Sequence, residues 1–108
     1  MNKVKNKLPA LVDEELAAAM EEHPLFASAH EGYAVLLEEV EEAEKEVQDV
    51  RQHLDRLWNQ VKVDNEGFVM HAAIYVRTAA INLAAEAIQV AAMAQKLLAS
   101  LGTEKVTP

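Results

Sequence analysis

The most constraining feature of this chain is a run of apolar positions in its middle third. Tyr33, Leu37, Val40, Glu44, Val47, Val50, Leu54, Leu57 and Val61 follow one another at steps of three and four, with Glu44 the one polar break. That spacing predicts a helix burying one stripe, as in a bundle or coiled coil. At 1.5 Å per residue the helix is about 50 Å long. Ser28 and Glu31 have the S-x-x-E spacing of a capping box and place its start near Ser28. The clearest turn signal of the chain, Asp64-Asn65-Glu66-Gly67, follows its end near Val61.

A third helix is expected from Phe68 to Leu101, with Gly102 as its C-terminal cap and Lys96 in the last turns, where a cation suits the helix dipole. This helix is alanine-rich and apolar nearly all round, so burial on several sides is expected. Arg77, Asn82, Glu86 and Gln89 interrupt the run, which argues against a membrane span. Ahead of the central helix, Asp13 is placed as the cap of a short first helix to about Glu22, with Leu16 and Met20 on its buried edge. His23-Pro24 ends it, because the residue before proline is pushed out of the helical region. Residues 1–9, up to Pro9, and residues 103–108 read as flexible tails. Residues 1–108 therefore read as a single all-α domain: a long antiparallel helical hairpin plus a short N-terminal helix.

Composition agrees with that reading and narrows the function. Aromatic residues make up 5% of the chain, and Gly and Pro number three each, too few for a turn-rich β fold. A helix buried on several sides in 108 residues implies a shared core, expected as a homodimer or homotetramer. The formal net charge of -8 repels phosphate backbones and anionic lipid, so neither a nucleic-acid polymer nor a membrane is expected as partner. Lys3, Lys5 and Lys7 are a local basic exception. The chain has no cysteine, which removes disulfides and thiolate metal sites. Its basic start leads into Asp13-Glu14-Glu15 and not into an apolar run, so no signal peptide is read and a cytoplasmic location is expected.

Two clusters can carry chemistry. In Glu38-Glu39-Val40-Glu41-Glu42, the pairs Glu38/Glu42 and Glu39/Glu42 sit side by side on the helix surface. Each such pair costs about 0.2–0.5 kcal/mol in repulsion. A divalent cation offsets that, and carboxylates suit Mg²⁺ or Mn²⁺; a solvated acidic face, relieved by Lys45, is the plainer alternative. On the third helix Thr78, Asn82, Glu86 and Gln89 recur at steps of four, four and three and form a polar stripe. Glu86 there is expected to face a cavity, a cation or a metal, or to pair with a basic side chain of a neighbouring helix. Trp58, Tyr75 and Phe68 are expected in the core in preference to stacking on a base. No histidine follows a glutamate by three residues, so a ferritin-like di-iron site is not expected.

Taken together, the two clusters resemble the MazG-like, all-α nucleoside triphosphate pyrophosphohydrolases, whose motif joins E-E-x-x-E on one helix to E-x-x-D on the next. Glu38-Glu39-Val40-Glu41-Glu42 matches the first half, and Glu86-Ala87-Ile88-Gln89 follows the second with Gln89 in place of Asp. The gap between the halves is longer than the family's and holds Arg51, His53, Arg56 and Trp58. The resemblance covers most of residues 28–100. It implies Mg²⁺-dependent (or Mn²⁺-dependent) hydrolysis of a nucleoside triphosphate to monophosphate and pyrophosphate. Glu38, Glu39 and Glu42 would be the catalytic carboxylates, and Glu39, Glu42, Glu86 and Gln89 the metal ligands. Arg77, Asn82 and Lys96 are the candidate substrate contacts. The alternatives are a relative that binds nucleotide or metal without turnover, and a non-enzymatic helical-bundle interaction protein.

Overall fold

Local capping chemistry sets most of the helix boundaries. The structure, a computed structural model, describes residues 2–102 and is all-helical there: α1 (Asn2–Glu22), α2 (Ala29–Lys62) and α3 (Glu66–Ser100), with no strand among the described residues. Ser28 caps α2, its Oγ accepting from the Glu31 N–H at 3.1 Å, while Glu31 reaches back to accept from the Ala27 N–H at 3.4 Å. The other end of α2 closes as a Schellman turn. The Asn65 N–H donates to the Gln60 carbonyl and the Asp64 N–H to the Val61 carbonyl, both at 3.1 Å, with Asp64 at a φ of 54°. Asn65 then caps α3 by accepting from the Phe68 N–H at 3.3 Å. Gly102 ends α3 at a φ of 75°, as its sequence position predicts.

α1 departs from expectation. It begins at Asn2 and runs through Pro9, so most of residues 1–9 form helix, and Asp13 is an exposed mid-helix residue with no capping part. Its charges oppose the dipole, with no acid in the first turn and no base in the last. A half-buried face of Leu8, Val12, Leu16 and Ala19 carries the helix across the proline. Packing therefore overrides local signals here. The expected tail at 103–108 lies outside the described residues.

The chain divides into two compact units, and α2 and α3 contribute to both. One comprises residues up to Val40 and from Ala87 onward. Its centre is Phe26, Gly32, Ala92 and Lys96, all buried. The Phe26 N–H donates to Ser100 Oγ at 2.9 Å, which ties the 23–28 connection to the end of α3. A Cβ on Gly32 would stand 2.7 Å from Leu97 Cδ1 and 3.1 Å from the Phe26 ring, so only glycine lets these groups close up.

The second unit is Glu41–Glu86. Its half-buried α2 positions are Ala43, Glu46, Val50, His53, Leu57 and Gln60, and its α3 seam is Val69, Ala72, Val76, Ala79, Leu83 and Glu86. His53 stacks on Tyr75 with ring centroids 5.3 Å apart, and the Arg56 guanidinium lies 5.8 Å above the same ring.

The stripe that opens the sequence analysis is mostly on the surface. Tyr33, Leu37, Val40, Val47, Leu54 and Val61 are exposed, and only Val50 and Leu57 of that stripe lie on the half-buried seam. The buried seam of α2 runs one residue away from the expected one. Trp58, Phe68 and Tyr75, expected in the core, are exposed too. α3 is long and apolar enough to cross a membrane by length and composition, and among its described residues only Ala79, Ala92 and Lys96 are buried.

Candidate metal centre

Helical spacing places Glu39 and Glu42 one turn apart on α2, side by side on its surface. Glu86 enters from the middle of α3, on the same seam as Ala79 and Leu83. Oxygens of the Glu42 and Glu86 carboxylates lie within 4.8 Å of each other, and a Glu39 oxygen lies within the same distance of that of Glu42. Glu39 and Glu86 are half-buried and Glu42 is exposed.

Glu86 is electrostatically the unusual member. Its Oε2 is enclosed and has no hydrogen-bond partner. Burial pushes its pKa above the ordinary 4.5. The neighbouring Glu42 carboxylate pushes it the same way, and the Glu46 charge adds to both. Burying a carboxylate among carboxylates is costly unless a proton or a cation neutralises it. Carboxylate oxygens gathered beside the enclosed Glu86 oxygen could hold a metal ion, for which carboxylates are hard ligands.

The remaining expected residues are more dispersed. Glu38 is exposed beside the cluster. Gln89 is half-buried one turn beyond Glu86 on α3. The expected polar stripe splits: Thr78 and Asn82 are exposed, and Thr78 Oγ1 donates to the Ile74 carbonyl at 3.1 Å. Arg77 is exposed and nine residues before Glu86, about 13 Å along the helix. Lys96 is ten residues beyond Glu86, about 15 Å along the helix. It is buried, with its Nζ 4.5 Å from the centre of the Phe26 ring, so its role as a dipole-facing cation gives way to an internal contact.

Glu46 was not anticipated. It is half-buried and close enough to raise the Glu86 pKa. Its position one turn after Glu42, at i+4, was the signal that could have found it. Comparison with known proteins finds no matching family model, no matching curated protein and no matching solved structure.

Proposed function

We propose that Glu39, Glu42 and Glu86 hold a divalent cation, and that the chain uses it to hydrolyse a nucleoside triphosphate to monophosphate and pyrophosphate. The observation that carries this reading is the enclosed, unpartnered Oε2 of Glu86 among other carboxylates. Mg²⁺ or Mn²⁺, when bound, would polarise phosphate oxygens and lower the pKa of a bound water. The chain's own part is to supply the ligands. Glu86, whose pKa is pushed up by burial and by the neighbouring Glu42 and Glu46, gives its full negative charge to the cation once ionised. Glu38, at the exposed edge, is proposed to take a proton from water, and Gln89 to add a neutral oxygen. Asn82 and Arg77 are the proposed contacts to the nucleotide.

The assembly proposed with this is an antiparallel α2–α3 hairpin in a cytoplasmic homodimer or homotetramer. Two pairings support the hairpin: the later His53 of α2 meets the earlier Tyr75 of α3, and the earlier Glu42 meets the later Glu86. The exposed Tyr33, Leu37, Val47 and Leu54 support a second copy over α2, because a solvated apolar row of that length is unfavourable. Sedimentation in detergent-free buffer should show a dimer or larger. A stable monomer, or recovery of the protein only with membranes, would overturn the assembly.

The activity is tested by a nucleotide panel with Mg²⁺ and Mn²⁺, monitoring pyrophosphate release. Turnover abolished in Glu39→Gln and Glu86→Gln supports the reading. Gln89, where the resemblance calls for Asp, favours one second reading: a subunit that binds metal and nucleotide without turnover. Thermal stabilisation by both together, with no pyrophosphate released, would select it. The absence of any metal response would sink both readings and leave a helical-bundle interaction protein.

A further inference from the structure

The unit built around Phe26 contains a charged group that no described residue pairs with. Lys96 is only 5% exposed. Its ammonium rests 4.5 Å from the centre of the Phe26 ring, and no hydrogen bond or ion pair among the described residues engages it. A ring face compensates part of the lost hydration of an ammonium, and an anion compensates more. Lys96 lines a cavity of about 410 Å³, within the usual size range of small-molecule sites. Much of its wall is apolar: Ala19, Pro24, Leu25, Phe26, Val35 and Met93. Glu22, His23 and Glu31, all exposed, stand on the same lining.

We propose that this cavity binds a small organic molecule with an apolar body and a single carboxylate, whose oxygens meet the Lys96 ammonium. The apolar tail lies against Pro24, Leu25, Val35 and Met93. The two glutamates set the charge limit, because a second negative charge on the ligand would face them across the opening. A nucleoside triphosphate is disfavoured by that argument, and the cavity shares no lining residue with the carboxylate cluster, so the proposal does not depend on that cluster's function. Fatty-acid-like carboxylates and the carboxylates of apolar amino acids share this chemistry.

The full-length protein, titrated with 4-methylpentanoate, 3-phenylpropionate, leucine and phenylalanine, separates those sources. The amines 3-methylbutylamine and 2-phenylethylamine serve as charge-reversed controls. At least one carboxylate should raise the melting temperature saturably at millimolar concentration or below, and neither amine should. Lys96→Met, which keeps the length and loses the charge, should weaken binding by about tenfold or more, the usual range for a charge-assisted contact. If Lys96→Met fails to fold, NMR on the unaltered protein replaces it. Ligand protons should then show contacts to the Val35 and Met93 methyl groups. Binding of the amines as tight as that of the carboxylates overturns the proposal. So does undiminished binding in a folded Lys96→Met, contacts to other methyl groups, or no saturable response to any of the four carboxylates.

Discussion

Glu86 and Lys96 lie ten residues apart on one helix, and their surroundings are opposites. Glu86 is a carboxylate with an enclosed oxygen, set against other carboxylates that raise its pKa. Lys96 is a buried ammonium set against an aromatic ring and apolar walls. Among the described residues, no ion pair joins either one to an opposite charge. A chain optimised only for stability would pair or remove such groups, since an uncompensated buried charge is among the costlier defects a fold can carry. The contrast also separates two kinds of site. Where donors of one sign converge, the missing partner is compact and multiply charged. Where one charge sits at the edge of an apolar cavity, the missing partner is singly charged and mostly hydrocarbon.

The strongest way to break this comparison is at Glu86. Glu86→Gln keeps the shape and removes the charge. Metal affinity, read by calorimetric titration with Mn²⁺, should fall by more than about 100-fold, the upper range for loss of a mere outer-shell partner. Binding of 3-phenylpropionate should be unchanged. Equal loss at both sites would mean that the substitution unfolds the protein and that the two charges are not independent.

Gly32→Val acts on the other side of the comparison. The new side chain collides with Leu97 and the Phe26 ring, which carries the Lys96 ammonium. Overpacking of this kind costs about 1–3 kcal/mol. The melting temperature should therefore fall by roughly 4–20 °C for a chain near 100 residues. Carboxylate binding should weaken, while the Mn²⁺ titration should stay within about twofold of the unaltered protein, as expected of sites without shared partners.

How much of this was legible in the sequence depends on how local each signal is. Ser28, Asn65 and Gly102 act within one turn of themselves, and the limits of α2 and α3 could be read to within two residues. The start of α1 could not be read, because Lys3, Lys5, Lys7 and Pro9 all speak against a helix start, while the half-buried face that includes Leu8 and Val12 runs through it. The seam of α2 was misplaced by one residue for a different reason. Two adjacent rows on that helix have the same period, and the row with more apolar residues is the exposed one. Periodicity shows that a stripe exists and does not say what covers it. Glu39 and Glu42 stand out because like charges at turn spacing are conspicuous, and Glu86 because it lies on a polar stripe of an apolar helix. The Lys96 site was missed because its partner, Phe26, is seventy residues away in sequence.

The raised pKa of Glu86 yields a pH test with a definite sign. A carboxyl whose pKa is higher folded than unfolded binds more protons in the native state, so stability falls as pH rises through that window. The window opens near the ordinary value of 4.5 and closes above the raised folded value. Without divalent cations, the free energy of unfolding by urea should therefore decline across it, and Glu86→Gln should remove that part of the decline. With saturating Mg²⁺ the sign reverses, because the cation binds only the ionised form. A pH profile identical with and without Mg²⁺ would deny the cluster its cation.

The smallest expected effect belongs to Gln89. It is half-buried one turn beyond Glu86, and an amide oxygen is a neutral and weaker ligand than a carboxylate. Gln89→Asp shortens the side chain by one carbon and adds a charge. If the side chain reaches the cation, the added charge should raise Mn²⁺ affinity by about tenfold, comparable to one charge-assisted contact. It should also restore part of any missing pyrophosphate release. If the side chain does not reach, the added carboxylate only increases repulsion along α3, with Glu86 at i−3, and the melting temperature drops slightly without a change in metal affinity. A gain in affinity without a gain in turnover would give the most information. It would place residue 89 at the cation and assign the lost activity to something other than ligand charge.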